Sequence, residues 1–99
     1  MSFLIRFSPE ADEHLRQLSA RERVLVVKAI RAQLLHQPTA ETRNRKPMRP
    51  NSLAPWELRL GALRVYFDVD TEPTATVVTL AIGVKRRSRI LIGGEERDL

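Results

Sequence analysis

The sequence predicts an α+β domain: an N-terminal strand, an αα-hairpin and a three-stranded antiparallel meander, with both helices on one sheet face and the other face open and basic. Three observations predict it. Phe3, Ile5 and Phe7 alternate with Ser2, Leu4 and Arg6, helical spacing with cap signals fills the stretch from Ser8 to Pro38, and period-two alternation returns at Trp56. With 99 residues and 42% hydrophobic content the chain can bury one modest core, so residues 1–99 are read as a single domain.

The first strand presents one strongly apolar face through Phe3, Ile5 and Phe7. Ser8 and Pro9 then read as an N-cap and first helical residue, with Glu10 and Asp12 placed favourably for the helix dipole. Ala11, Leu15 and Leu18 follow at helical spacing, so the first helix is expected to end near Leu18. Ser19 and Glu22 match the capping box S-x-x-E. A second helix is therefore expected, with Val24, Val27, Ile30 and Leu34 as its apolar stripe and Pro38 marking its end.

From Thr39 to Pro55 the apolar rhythm disappears, and Pro47, Pro50 and Pro55 argue against any regular element. This long loop, residues 39–55, carries Arg43, Arg45, Lys46 and Arg49 against a single acid, Glu41. Loops of this length in compact domains are usually functional or disordered. Three strands are expected next, Trp56 to Leu60, Leu63 to Val69 and Ala75 to Ile82. Gly61-Ala62 suits a tight two-residue hairpin turn with positive φ. Gly83 reads as the end of the sheet. Lys85, Arg86, Arg87 and Arg89 follow, then a short apolar run from Ile90 to Ile92 and an acidic tail over residues 93–99.

Composition narrows the function. There is no cysteine, so a disulfide framework or thiolate metal site is excluded. His14 and His36 are isolated rather than set at ligand spacing. His14 reads as a structural residue and His36 as a dipole-favoured cap, and no metal or cofactor is expected. The longest apolar runs, such as Val77 to Val84, fall far short of the roughly 20 residues a membrane span needs. No signal-peptide pattern opens the chain, so a cytoplasmic location is the simplest reading. The net charge is +5, from 17 basic against 12 acidic residues, and Lys28, Lys46 and Lys85 are the only lysines. Arginine's planar fork suits bidentate phosphate contacts. A GC-rich genome would give the same bias, so position has to decide.

Position singles out the hairpin. Alternation sends Trp56, Leu58, Leu60, Leu63, Val65, Phe67 and Val69 to the core side, and Glu57, Arg59, Arg64, Tyr66 and Asp68 to the other. With Gly61-Ala62 as the turn, Arg59 faces Arg64 and Glu57 faces Tyr66. Like charges directly opposite weaken a sheet by a few tenths of a kcal/mol up to about 1. An anion between the arginines would offset that repulsion, and so would Glu57 and Asp68 flanking them on a solvated face with no ligand. The basic residues before and after the hairpin favour the anion, most naturally RNA. With Tyr66 the only aromatic on this face, an extended stacking platform for single strands is not expected.

These stretches resemble the RelE/ParE superfamily of bacterial toxin-antitoxin toxins. The carrying residues are the basic loop, Trp56-Glu57-Leu58-Arg59-Leu60-Gly61, Leu63-Arg64-Val65-Tyr66-Phe67-Asp68-Val69-Asp70 and Ala81-Ile82-Gly83-Val84-Lys85-Arg86. Element order agrees over nearly the whole chain, with divergence in the loop and tail. The resemblance implies a toxin neutralised by a cognate antitoxin, and for RelE-like members an mRNA endonuclease acting on the ribosome through the ribose 2′-hydroxyl. It places Arg64 on the scissile phosphate and Arg59 and Lys85 at further basic positions. Arg43, Arg45, Lys46, Arg49, Arg86 and Arg87 would hold RNA. Two positions depart from the RelE-like pattern: Glu57 stands where those enzymes carry a lysine, and Leu91 where they carry a tyrosine. Glu57 as base and Tyr66 as proton donor would fill the gap; a structural ion pair and a packed phenol are the other reading. ParE-like relatives share the fold and poison DNA gyrase without a nuclease site, which is the alternative function, and an inactive relative that only binds is a third. Leu25, beside the stripe of the second helix, is the expected antitoxin contact.

Overall fold

The computed structural model describes residues 2–99 and has the expected mixture of two helices and a largely antiparallel sheet. In chain order the elements are β1 (Leu4–Phe7), α1 (Pro9–Gln17), α2 (Ala20–Leu34), β2 (Arg45–Pro47), β3 (Trp56–Leu60), β4 (Leu63–Asp70), β5 (Thr76–Arg86), β6 (Arg89–Ile92) and β7 (Glu95–Arg97). The caps form as their sequence signals require. Ser8 Oγ accepts from Ala11 N–H at 3.1 Å, and Ser19 and Glu22 exchange both bonds of a capping box. Arg23 reaches back to the Leu18 carbonyl at 2.8 Å and closes the corner between the helices.

The apolar stripe of α2 is rotated from its expected position. Val26, Ile30 and Leu34, spaced four apart, are buried, whereas Val24 is 55% and Leu25 50% exposed. A single helix face meeting a sheet selects the i, i+4, i+8 row, and Val24 lies about half a turn away from it. Val26, Ile30 and Leu34 join Leu58, Val65, Phe67, Val77 and Ile82 in the main core, with Leu15, Phe7 and Trp56 packed at its margin.

The sheet is larger than expected. Its order is β2-β3-β4-β5-β6-β7, with β1 pairing parallel to β5. The loop contains a strand after all: Arg45–Pro47 pairs with β3, and Pro47 is tolerated because β2 is a sheet edge. Gly83 does not end the sheet, since β5 continues to Arg86. A Cβ there would lie 3.0 Å from Ile92 Cγ1 and 3.2 Å from Ile90 Cγ2, so the missing side chain lets β6 close over β5. The acidic tail turns at Gly93-Gly94, both at positive φ, and returns as β7.

One edge of β5 changes partners. Thr76 to Thr79 pair with β1 and Gly83 to Arg86 pair with β6, leaving a gap between them. α1 fills it. Ser8 Oγ donates to the Leu80 carbonyl at 3.1 Å, and His14 Nδ1 accepts the Ile82 N–H at 3.2 Å. The structural reading of His14 is correct, and its mechanism is to replace a strand as a backbone partner.

The sheet face away from the helices is not open throughout. Tyr66, Ala81, Ile92 and Ala54 form a second buried cluster, with Met48, Leu53, Ile90 and Leu99 packed around it. Loop residues reach this cluster because Asn51 ties the chain into a tight turn, accepting from Leu53 and Ala54 N–H and donating to the carbonyls of Arg49 and Ala54. The loop therefore has a regular fold of its own.

Candidate nucleic-acid interface

The hairpin forms in the register that alternation requires. Arg59 pairs with Arg64, Glu57 with Tyr66 and Leu60 with Leu63, around a turn whose Gly61 has φ of 60°. β2 adds Lys46 opposite Glu57, and β5 adds Gly83 opposite Arg64. One row therefore runs Arg59, Arg64, Gly83, and the neighbouring row runs Lys46, Glu57, Tyr66, Ala81.

The two opposed arginines do not hold a common space between their side chains. Arg59 Nε donates to Glu57 Oε1 at 2.7 Å, within its own strand. Arg64 is only 8% exposed, and its Nη1 donates to the Gly61 and Leu63 carbonyls. It fastens the hairpin turn, because a buried guanidinium must place its N–H groups on acceptors and the turn carbonyls are the nearest. Arg45 is spent in the same way. It is 6% exposed and donates to the carbonyls of Ala40 and Gln33, clamping the loop to the end of α2. Its guanidinium is turned inward and does not meet the solvent-facing basic residues.

What remains is a more compact site than the sequence pattern suggests. Lys46, Arg49, Glu57 and Arg59 line a hollow of about 260 Å³, whose opposite wall is apolar and built by Met48, Ile90 and Leu99. The Glu57 side chain is 12% exposed and the Arg59 side chain 51%, so the carboxylate sits at the floor and the cation at the mouth. Lys46 is anchored at 3.2 Å to Glu41 on the rim. Tyr66 lies beneath this hollow, fully buried, and its hydroxyl has no hydrogen-bond partner. Burial first, and the Glu57 charge second, push its pKa well above the ordinary phenol value. The phenol is thus neutral throughout the working range of a protein.

The remaining basic residues divide between surfaces. Lys85 is exposed and shares the hairpin face, two residues beyond Gly83 and paired with Ile90. Arg86 points to the helix side, lining a hollow with Gln17 and Leu18 of the first helical corner. Arg87 occupies the β5–β6 turn. Arg43 and Arg49 are exposed on the loop. Leu91 pairs with Val84 and so faces the helix side rather than the hairpin face. Sequence reasoning missed the apolar wall at Ile90 and Leu99, which carries no local signal, because β4 and β5 separate β6 from β3 in the sheet and only the tertiary fold brings Ile90 and the tail to the same hollow as Glu57 and Arg59. It also missed that Lys46 stands opposite Glu57, since a three-residue strand ending in proline has no readable period.

This arrangement can hold a phosphate against cations next to a shielded carboxylate. It supplies a base, a positive field and an apolar surface within one hollow. No helix among the described residues is long and apolar enough to cross a membrane.

No protein-family model matches the chain, and no curated protein matches it in sequence. Among solved structures, a chain of the RelBE2 toxin-antitoxin complex from Mycobacterium tuberculosis is similar at a TM-score of 0.71 and 28% sequence identity, over 86% of this chain and 100% of that chain. With the hairpin register and the helix pair behind it, that similarity supports a toxin of the RelE/ParE superfamily.

Proposed function

We propose that the chain is the toxin of a toxin-antitoxin system and cleaves mRNA engaged in translation, in the cytoplasm, until an antitoxin covers it. The single observation that carries the reading is the Glu57 carboxylate, nearly enclosed and held at 2.7 Å by Arg59, in a hollow that also contains Lys46 and Arg49. A structural ion pair needs no such surroundings; a transphosphorylation site does.

In the proposed step Glu57 takes the proton of a ribose 2′-hydroxyl. The freed oxygen bonds to the adjacent phosphorus as the bond to the 5′-oxygen breaks, leaving a 2′,3′-cyclic phosphate and a 5′-hydroxyl. Arg59 and Lys46 face the phosphate as its charge rises, the point at which fixed cations lower the barrier most. The departing 5′-oxygen needs a proton, for which Lys85 on the same face is the candidate; the Tyr66 hydroxyl, expected as the donor, is buried beneath the hollow and out of reach of a bound strand. Arg64 contributes by holding the turn that sets Arg59. Arg43 and Arg49 extend the positive field along the incoming strand.

The antitoxin belongs to the same reading. The similar structure is a toxin-antitoxin complex, and here Val24 and Leu25 stand half exposed together on α2. An apolar pair on an otherwise polar helix face is suited to a partner's apolar segment.

Expression of the full chain in bacteria with mapping of mRNA 5′ ends tests the proposal. New ends inside translated frames are expected, and they should vanish with Glu57→Gln and with Arg59→Ala. Undisturbed translation, or either variant remaining fully toxic, would refute it. DNA breaks with a damage response would replace it by gyrase poisoning.

A further inference from the structure

A hollow of about 700 Å³ opens along the seam where α1 stands in for a strand at the edge of β5. Concave sites of roughly 300–1,000 Å³, apolar in the main with a few placed polar groups, are the form that small-molecule sites take. The lining of this one divides by depth. Ala81 and Ile92 are buried and Leu53 and Leu80 half-buried, so the floor is apolar. Three carboxylates stand exposed at the rim, Glu10 and Glu13 from α1 and Glu95 from β7.

The charge at that rim is opposite to the charge of the chain. The protein carries a net +5, yet here one cation, the half-buried Arg97, faces three acids. The positive end of α1 offsets about half a charge more. The His14 imidazole, held by burial below its ordinary 6.5, adds none near neutral pH. Among the described residues Glu10 and Glu95 enter no ion pair, and Glu13 has only a 3.7 Å contact with a largely exposed Arg16. The rim stays negative and free to bind.

The chemistry of the lining selects the ligand. An anion would meet three carboxylates, and a neutral apolar molecule would leave them unused. A bound metal ion needs converging donors, and no group of three His, Asp or Glu side chains among the described residues could hold one. No aromatic residue lines the hollow, so a quaternary ammonium would find no cage. Primary ammonium groups suit carboxylates directly, as charge-assisted hydrogen-bond donors. An aliphatic body between two such groups would lay its methylenes on Leu53, Leu80 and Ile92 and keep its charged ends in the wet rim, as a lysine stem does on a protein surface.

We infer that the hollow between α1 and β7 is a binding site for a linear aliphatic diamine or polyamine, held by Glu10, Glu13 and Glu95 above an apolar floor. The site is independent of the nuclease reading, since none of its residues lines the Glu57 hollow. A bound polyamine would join α1 to the β6–β7 turn beside His14, where the β5 edge has a helix in place of a strand ladder.

Calorimetric titration of the full chain with 1,5-diaminopentane and with spermidine tests it, with pentylamine and magnesium chloride as comparisons at matched ionic strength. Saturable one-to-one binding of the diamine is expected, about two- to fivefold tighter than pentylamine, the worth of one exposed ion pair. The Tm should climb with diamine concentration. Glu10→Gln and Glu95→Gln should each weaken the diamine by about the same two- to fivefold, and Leu53→Ala should weaken diamine and pentylamine alike. These side chains are exposed or half-buried, and the Tm of each variant without ligand checks that it folds. No saturable binding, displacement of the diamine by magnesium at matched ionic strength, or unchanged affinity in all three variants would overturn the inference. So would a short lysine-containing peptide that binds more tightly than the free diamine, which would assign the hollow to a side chain of a partner protein.

Discussion

Replacing Tyr66 with phenylalanine should make the protein more stable, and the structure supplies the magnitude. The Tyr66 ring is fully buried among Ala54, Ala81 and Ile92, and its hydroxyl has no partner. Burying an unsatisfied polar group of this kind costs about 1–3 kcal/mol. Tyr66→Phe removes the hydroxyl and keeps the ring, so the packing of the second cluster survives, less a few tenths of a kcal/mol for the small void left behind. A net gain of about 1 kcal/mol is expected, which for a domain of this size raises Tm by roughly 4–8 °C. Urea unfolding by circular dichroism checks it, and the midpoint should rise with the slope m unchanged. A midpoint that stays or falls would refute the reasoning, because it would mean that the hydroxyl has a partner in solution, with Glu57 the nearest candidate. The same variant reports on the mechanism. Because the phenol is buried out of reach of a bound strand, Tyr66→Phe will be the more stable protein and will keep its cleavage of mRNA; loss of the new mRNA ends would place the hydroxyl in the reaction.

Two further predictions concern the joints that hold the sheet together. Gly83→Ala should destabilise by about 1–3 kcal/mol, since the new Cβ would lie 3.1 Å from the Leu91 carbonyl oxygen, a backbone atom that cannot rotate away; an unchanged urea midpoint would show that β6 does not close over this residue. His14 should make stability depend on pH. Burial holds its imidazole below the usual 6.5, with Arg97 acting in the same direction and Glu10 and Glu13 against, and protonation would turn the Nδ1 acceptor towards the Ile82 N–H as a second donor. The unfolded chain then takes the proton first, so this contribution is complete above about pH 6.5 and is lost as pH falls from there to the lower folded value. His14→Asn, which offers an oxygen in place of Nδ1, should flatten the Tm profile between about pH 8 and 5; a profile of unchanged slope would place the pH dependence elsewhere.

Much of the local structure was legible because it is local. The Ser8 cap, the Ser19-Glu22 box and the Gly61 turn each depend on residues within a few positions of one another, and each forms as its pattern requires. The pairing of Arg59 with Arg64 followed from turn length alone. Elements whose stability comes from distant neighbours were not legible. The strand at Arg45–Pro47 exists because β3 lies beside it, and β7 because Gly93-Gly94 folds the tail back onto β6. Gly83 looked like an ending because a glycine weakens a strand in isolation, whereas here it admits Ile90 and Ile92.

The candidate site divides along the same line. By itself the sequence determined that Glu57, Arg59, Arg64 and Tyr66 share a sheet face, since alternation is a property of the backbone. Only the tertiary structure decided what each does there. Arg64 turns to the carbonyls of its own turn, Arg45 to the end of α2, and Tyr66 disappears beneath Leu53, Ile92 and Leu99. Lys46 and Arg49 arrive beside Glu57 from the loop, and Arg86 leaves for the helix side. The physical reason is that a long side chain goes wherever acceptors and water are within its reach, and those are set by strands far away in the chain.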